Sequence, residues 1–165
     1  MAKLNSKKIG NKFQEDFEES IPENLYYTRY KDSPTQYKKV HNEGDYLVNA
    51  GKFICIVENK TTKGKSLPLG NIGMEQVWKM LCATCKLNTF GGFLINFRDL
   101  DETYFVFVTD FLYWYLNRTS QSIPIEWVKN NGYRVSQKIR IKRFRYGVLG
   151  LLNYIEECKY VNEVI

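Results

Sequence analysis

The sequence predicts an α/β protein in which helices pack on a sheet of at least four strands. Runs rich in β-branched and aromatic residues indicate the strands, at 44–48, 52–60, 91–97 and 103–108. Segments whose apolar residues recur at helical spacing flank or separate them, at 11–19 and 72–87. The chain has 165 residues, of which 44% are hydrophobic and 15% aromatic, so it can form its own core. We therefore expect a single domain over residues 1–165.

Local patterns predict the first helix and a hairpin after it. Phe13 and Phe17 stand four residues apart with acids between them, and the amphipathic helix that they indicate stops before Pro22. The first two strands are joined by Asn-Ala-Gly at 49–51, a sequence typical of a tight turn. These two strands should therefore pair as a hairpin.

The second half of the chain continues the alternation of strands and helices. The helix at 72–87 should cross the sheet, and an acidic turn at 99–102 joins the third and fourth strands. Short helices are predicted at 110–116 and 125–130. Residues 135–145 then alternate apolar and basic side chains, as a strand does, before a last helix at 146–157.

The charge of the chain favours a polyanionic partner. Its formal net charge is +6 and its pI is near 9.0, which makes nucleic acid the natural candidate. Five of the eight residues from Lys138 to Arg145 are cationic. Such a run indicates either a solvated strand face or an edge that binds phosphates.

A tyrosine-rich basic segment precedes the hairpin. Residues 22–44 are polar apart from a short strand predicted at 25–30, and they form either a solvated loop or an arm that contacts DNA. In the second case the tyrosines would stack on bases while cations such as Arg29 hold phosphates.

The cysteines and the termini suggest a reducing compartment. Cys82 and Cys85 have the spacing of a zinc pair, but no second pair accompanies them and His41 is the only histidine. The simpler interpretation is reduced thiols, with Cys55 buried in its strand. No apolar signal segment or membrane-spanning run is present, so we expect a cytoplasmic protein.

Two acids and a lysine on the hairpin predict chemistry. Glu58 and Lys60 project from one face of their strand, and hairpin pairing brings Asp45 beside them. Two adjacent carboxylates repel each other unless a cation lies between them, and their oxygen atoms suit Mg²⁺ or Mn²⁺. A nearby lysine can orient water or stabilise charge on a phosphate, so the pattern indicates phosphodiester hydrolysis. The alternative is a surface ion pair.

These residues, taken with their surroundings, resemble the RecU family of Holliday junction resolvases over nearly the whole chain. The resemblance rests on Asp45, on Glu58-Asn59-Lys60, on Lys-Ser-Leu-Pro-Leu at 65–69, on Gln76 and on the strand 91–97. It implies a restriction-endonuclease-like fold, with a central mixed β-sheet flanked by helices. It also implies a homodimer that cuts four-way DNA junctions with Mg²⁺, in DNA recombination and repair.

The resemblance also assigns residues. It implies that Asp45 and Glu58 bind the metal, that Lys60 is the catalytic lysine and that Gln76 helps to hold the metal. Glu43 falls where the family has a threonine near the metal, and strand alternation puts it on the face of Asp45, so it is a further metal candidate.

The chain departs from the family at its first helix and before the hairpin. Where the family commonly has a glutamate in its first helix, this chain has Gln14. Glu15 comes one residue later, and a shift of one residue turns a helix side chain by about 100°. Residues 30–44 take the place of the stalk that enters the junction in relatives.

Three functions follow as hypotheses. The first is a junction-resolving nuclease dimer that grips DNA through cations, namely Arg29, Lys63, Lys65, Arg140 and Arg143. The second keeps the nuclease chemistry but acts on a flap, a nick or a specific duplex site. The third is a catalytically silent DNA-binding scaffold for recombination, which would bind DNA in a salt-sensitive way without metal-dependent cleavage.

Overall fold

The computed structural model describes residues 2–30, 42–140 and 143–162, with side chains described for 8–30, 42–139 and 143–158. Five α-helices, two short 3₁₀-helices (Leu69–Asn71 and Arg98–Leu100) and ten strands occur in this part of the chain, and the α-helices and strands are labelled here. In chain order they are α1 (Ala2–Glu18), β1 (Tyr26–Arg29), β2 (Tyr46–Asn49), β3 (Ile54–Thr62), β4 (Ser66–Pro68), α2 (Met74–Thr84), β5 (Thr89–Phe97), β6 (Glu102–Phe107), α3 (Val108–Asn117), β7 (Ser122–Pro124), α4 (Ile125–Asn131), β8 (Tyr133–Val135), β9 (Gln137–Arg140), β10 (Arg143–Tyr146) and α5 (Val148–Asn162). None of these helices is long and apolar enough to cross a membrane.

Six strands form one mixed sheet, in the order β1-β2-β3-β5-β6-β8. The pair β3 and β5 is parallel, and every other neighbouring pair in this sheet is antiparallel. Two short ribbons, β4 with β7 and β9 with β10, stand apart from it. The central mixed sheet flanked by helices and the hairpin of β2 and β3 were both predicted, and both are confirmed.

Each face of the sheet carries its own apolar core. One core includes Phe13 and Phe17 of α1, Tyr46 and Val57 of the hairpin and Leu151 of α5. The other core lies under α2, α3 and α4, and its buried residues include Ile56, Val77, Phe93, Phe111 and Val128. Side chains alternate along β3, so one strand supplies both cores and its even-numbered residues face α2.

Several elements differ from the prediction. The helix α1 begins at Ala2 rather than near residue 11, because the lysines and other helix formers before Phe13 extend it. The alternating run at 135–145 divides into two strands, β9 and β10, which pair antiparallel, and its period did not reveal this division. The three-residue strands β4 and β7 were not predicted, since they are too short for any period to show.

The segment at 22–44 begins as part of the sheet. Its strand β1 was predicted, and it pairs with β2 from Tyr26 opposite Asn49 to Arg29 opposite Tyr46. Residues 31–41, which include most of the predicted stalk, lie outside the described residues.

The four cysteines are free thiols. Cys55 is buried on β3, whereas Cys82 and Cys85 are exposed at the end of α2. No group of three or more histidine, cysteine or acidic side chains converges as a metal-ligand set in the described ranges, so the Cys82–Cys85 pair has no such partners there.

Candidate active site

Hairpin register places Asp45 opposite Glu58. Tyr46 pairs with Val57, and the ladder continues one residue further because the Asp45 N–H donates to the Val57 carbonyl at 2.9 Å. On the other side, the Tyr30 N–H donates to the Asp45 carbonyl at 2.8 Å. Residues directly opposite each other in an antiparallel pair share a face, so both carboxylates lie on the side of the sheet that α2 covers.

Gly44 makes this close approach of the strands possible. A Cβ at position 44 would stand 2.8 Å from Ile56 Cγ2 and 3.0 Å from the Val57 carbonyl oxygen. Both distances are shorter than ordinary van der Waals contact, so a larger residue would push the start of β2 away from β3. The glycine before Asp45 therefore helps to set the position of its carboxylate.

The two carboxyl groups are in direct contact within a largely buried site. Glu58 is only 4% exposed, and its carboxyl group is hydrogen-bonded to that of Asp45. Burial first, and then the neighbouring Asp45 charge, raise the pKa of Glu58 to about 7, against the opposing effect of Lys60. Burial also raises the pKa of Asp45, against the opposing effect of the Asn59 N–H, which donates to Asp45 Oδ2 at 2.8 Å. Burial therefore disfavours ionisation of both carboxyl groups.

Lys60 and Gln76 complete this group. Lys60 Nζ lies 2.6 Å from Glu58 Oε1, and the lysine side chain is 17% exposed. Gln76 projects from α2, which connects β3 to β5, and its Nε2 donates to Glu58 Oε2 at 2.8 Å. The structure thus brings together Asp45, Glu58, Lys60 and Gln76, which the sequence assigned to one site.

The chemistry of these groups fits a hard divalent cation. A cation between Asp45 and Glu58 would offset the cost of burying both carboxylates and the repulsion from Asp45 that helps to raise the pKa of Glu58. Gln76 could add its amide carbonyl oxygen as a neutral ligand. Glu43 is not brought into this group, because no third acidic, histidine or cysteine side chain joins the pair among the residues described. A metal role for Glu43 stays a prediction.

The predicted DNA-binding cations have different surroundings. Lys63 and Lys65 are exposed in the turn after β3, beyond Lys60. Arg29, by contrast, forms an ion pair with Glu18 at 2.7 Å and is 25% exposed. The backbone of Arg140 ends β9, but its side chain lies outside the described residues.

Arg143 connects the β9–β10 ribbon to α1. Its Nη1 lies 3.1 Å from Glu15 Oε2 and 3.0 Å from Asp16 Oδ1. Next to it, Arg145 pairs with Glu19 at 2.6 Å. The basic run was predicted as a phosphate-binding edge or a solvated face, and two of its cations contact acids of α1 or of the residue that follows it. Binding of DNA by Arg143 stays a prediction.

Gln14 is the site residue that the sequence reasoning did not select. Its side chain reaches the cluster from α1 and is hydrogen-bonded to the Asp45 carboxylate. Glu15, one position later, contacts Arg143 instead. The available signal was the family resemblance, because Gln14 stands where the family commonly has an acid in its first helix.

Comparison with known proteins gives the same family as the sequence motifs. The family model described as Recombination protein U (RecU) matches residues 20–147. A curated relative from Staphylococcus epidermidis, named Holliday junction resolvase RecU, is 32% identical over 106 residues, which are 62% of this chain and 47% of the relative. A relative of the same name from Staphylococcus carnosus is 29% identical over 136 residues, 81% of this chain and 55% of the relative. This chain spans about half the length of the curated relatives it matches.

A solved structure of a Holliday junction resolvase, Hjc from Archaeoglobus fulgidus, is also similar. Its TM-score is 0.48 with 11% identity, over 78% of this chain and 92% of that one. The family assignment rests instead on the family model. Its match includes all four clustered residues, which are Asp45, Glu58 and Lys60 on the hairpin and Gln76 on α2. The chain belongs to the RecU family.

Proposed function

We propose that this protein is a structure-selective endodeoxyribonuclease that resolves four-way DNA junctions by metal-dependent phosphodiester hydrolysis. The observation that carries the proposal is the buried contact of Asp45 with Glu58, bordered by Lys60 and Gln76. Burying two mutually repelling carboxylates costs stability, and perturbed carboxyl groups of this kind cluster at functional sites. Membership of the RecU family supports nuclease chemistry at these residues.

Each side chain has a defined task in this proposal. Oxygen atoms of Asp45 and Glu58, with the Gln76 carbonyl, would hold Mg²⁺, and Mn²⁺ should substitute for it. The bound cation supplies Lewis acidity and lowers the pKa of a coordinated water. Lys60 stands beside Glu58, where its ammonium group can orient the attacking water or stabilise charge on the phosphate. The Asn59 N–H fixes one oxygen of Asp45.

The substrate and the assembly extend this proposal. The matched relatives are named Holliday junction resolvases, and a four-way junction requires two symmetric cuts. Two cuts are most simply made by two copies of one site, so we propose a homodimer. The exposed cations Lys63 and Lys65, which follow Lys60 along the chain, would contact the DNA backbone. A DNA substrate is consistent with action in the cytoplasm.

The test is cleavage of a labelled immobile four-way junction, with linear duplex, flap and single-stranded DNA in parallel. Reactions with Mg²⁺ or EDTA compare the wild type with Asp45→Asn, which keeps the side-chain shape and removes its charge. We expect paired symmetric nicks in the junction only, abolished by EDTA and by the substitution. Equal cutting of all substrates would contradict junction selectivity, and junction binding without metal-dependent cutting would contradict the nuclease.

A further inference from the structure

Gln14 lies between a cation and the acid at the centre of the site. Arg29 Nη2 donates to the Gln14 side-chain oxygen at 3.1 Å. With that oxygen occupied, the amide nitrogen is the end of Gln14 that donates to the Asp45 carboxylate. The Gln14 main-chain carbonyl is also fixed, since it accepts a hydrogen bond from the Tyr46 hydroxyl at 2.9 Å. Contacts therefore orient both the main chain at Gln14 and the two ends of its side-chain amide.

Arg29 is itself held in place by a network on α1. Its Nη1 donates to Glu18 Oε2 at 2.7 Å, and the same carboxylate accepts hydrogen bonds from the Tyr27 hydroxyl at 3.2 Å and the Tyr46 hydroxyl at 3.3 Å. The guanidinium also lies 5.8 Å from the centre of the Tyr46 ring. An arginine with this many partners is poorly placed to leave them for a phosphate.

Asp45 accepts donors from two elements that do not depend on each other. The Asn59 N–H is part of the hairpin, whereas the Gln14 amide comes from α1. Two donors from different directions fix the rotation of a carboxylate, which one donor cannot do. The oxygen geometry that Asp45 presents therefore depends on the placement of α1.

We propose that Gln14 is a positioning residue of the active centre, which Arg29 orients so that its amide nitrogen sets the rotation of the Asp45 carboxylate. The inference deepens the proposed function and rests on it. It also replaces DNA contact, which the sequence suggested for Arg29, with a structural task in the site. In this chain the amide serves both partners, because a carboxylate at position 14 would accept from Arg29 but could not donate to an ionised Asp45.

The first test compares Gln14→Ala with Asn11→Ala, an exposed residue one turn earlier on the same helix. We expect Gln14→Ala to lower kcat on the junction by about 10-fold to 100-fold, as loss of a partner behind a metal ligand does, with KM for DNA changed less than about twofold. Asn11→Ala should leave both unchanged, and both variants should unfold within about 2 °C of wild type. A raised KM with unchanged kcat would overturn the proposal.

A second readout needs no cleavage. Calorimetric titration of Mn²⁺ into the DNA-free protein should show about 10-fold weaker binding in Gln14→Ala than in wild type. Gln14→Glu should also weaken kcat, because it removes the donor while keeping the size. Stronger metal binding and full activity in Gln14→Glu would overturn the proposal, since they would make position 14 a metal-ligand position. If the wild type binds Mn²⁺ but cuts no DNA, the proposed function fails while the titration still tests Gln14.

Coupling between Gln14 and Arg29 provides the third readout. Arg29→Lys keeps the charge but loses the forked geometry that serves Glu18 and Gln14 together. We expect Gln14→Ala and Arg29→Lys combined to lower kcat no further than the more severe single variant, since both act through one contact. If the two losses of kcat multiply in the double variant, Gln14 and Arg29 do not act through one contact and the proposal is overturned. An Arg29→Lys variant that changes the salt dependence of DNA binding while kcat stays unchanged would also overturn it.

Discussion

The described chain places carboxylates beside cations in two regions with opposite surroundings. In the active-site cluster, Glu58 is 4% exposed and contacts both Asp45 and Lys60. In the second region, the ribbon arginines meet α1, and Glu15 and Glu19 have side chains 49% and 48% exposed. Water screens the second group, whereas the first keeps its repulsion.

The comparison shows that burial decides whether a carboxyl group can change its protonation near neutral pH or only forms an ion pair between two elements. Burial raises the pKa of Glu58 to about 7, while the exposed Glu19 has its pKa lowered, first by its hydrogen bond to Arg145. A carboxyl group whose proton competes with a cation can respond to metal. A carboxylate that stays ionised beside an arginine serves only to hold two elements together. Breaking each region should therefore change different measurements.

The largest effect is expected from Lys60→Met in the buried cluster. The substitution removes the ammonium group 2.6 Å from Glu58, so kcat on the junction should fall by about 10³-fold. Lys79→Met, on the outer surface of α2, is the control and should cut at the wild-type rate. Gel quantification of nicked junction under single-turnover conditions measures both. If Lys60→Met keeps more than a third of wild-type activity, Lys60 has no catalytic role.

Glu58→Gln should stabilise the metal-free protein at alkaline pH. Because the folded pKa of Glu58 is raised, its neutral form favours folding below pH 4.5, and this contribution is lost as the pH rises through about 7. Wild-type protein in EDTA should therefore lose stability between about pH 4.5 and 7 relative to the variant, which should melt about 3 °C or more higher at pH 8. Thermal unfolding across this range tests it, and parallel curves would show that Glu58 does not titrate there.

The smallest effects are expected in the exposed region, where the two arginines differ. Arg143→Ala leaves Asp16, whose side chain is 3% exposed, without its ion pair, so Tm should fall by about 3–6 °C. Arg145→Ala removes only the exposed pair with Glu19 and should lower Tm by less than about 2 °C. Neither should lower kcat more than about threefold. Equal Tm losses, or a loss that disappears in high salt for Arg143→Ala, would contradict the buried partner.

The sequence predicted most of the buried cluster because the pairing of two adjacent strands brings its residues together. Asp45, Glu58 and Lys60 lie on one hairpin, where the side-chain period and the turn decide which residues meet. Gln76 could be predicted only from the family resemblance. It lies on α2, and the position of that helix over the sheet depends on the parallel pairing of β3 with β5. Gln14 was not selected, because contact between α1 and the start of β2 leaves no periodic trace in the sequence.

The basic residues show why surface chemistry was harder to predict. A run of arginines and lysines has the same pattern whether it faces DNA or acids of another helix, and Arg143 and Arg145 face acids more than 120 positions away. Arg29 was likewise predicted as a DNA contact and is bound by Glu18 and Gln14. Only the packing of α1 against the sheet and ribbon distinguishes these alternatives.

The buried thiol of Cys55 makes it possible to time the opening of the strand that bears Glu58 and Lys60. Cys55 lies three positions before Glu58 on β3, and burial raises its pKa to about 12, so it is inert while the strand is closed. In a chain whose other three cysteines are serine, a soluble disulfide reagent would react with Cys55 only during an opening event. The rate of that reaction, with and without Mg²⁺, would report how firmly a cation closes the hairpin.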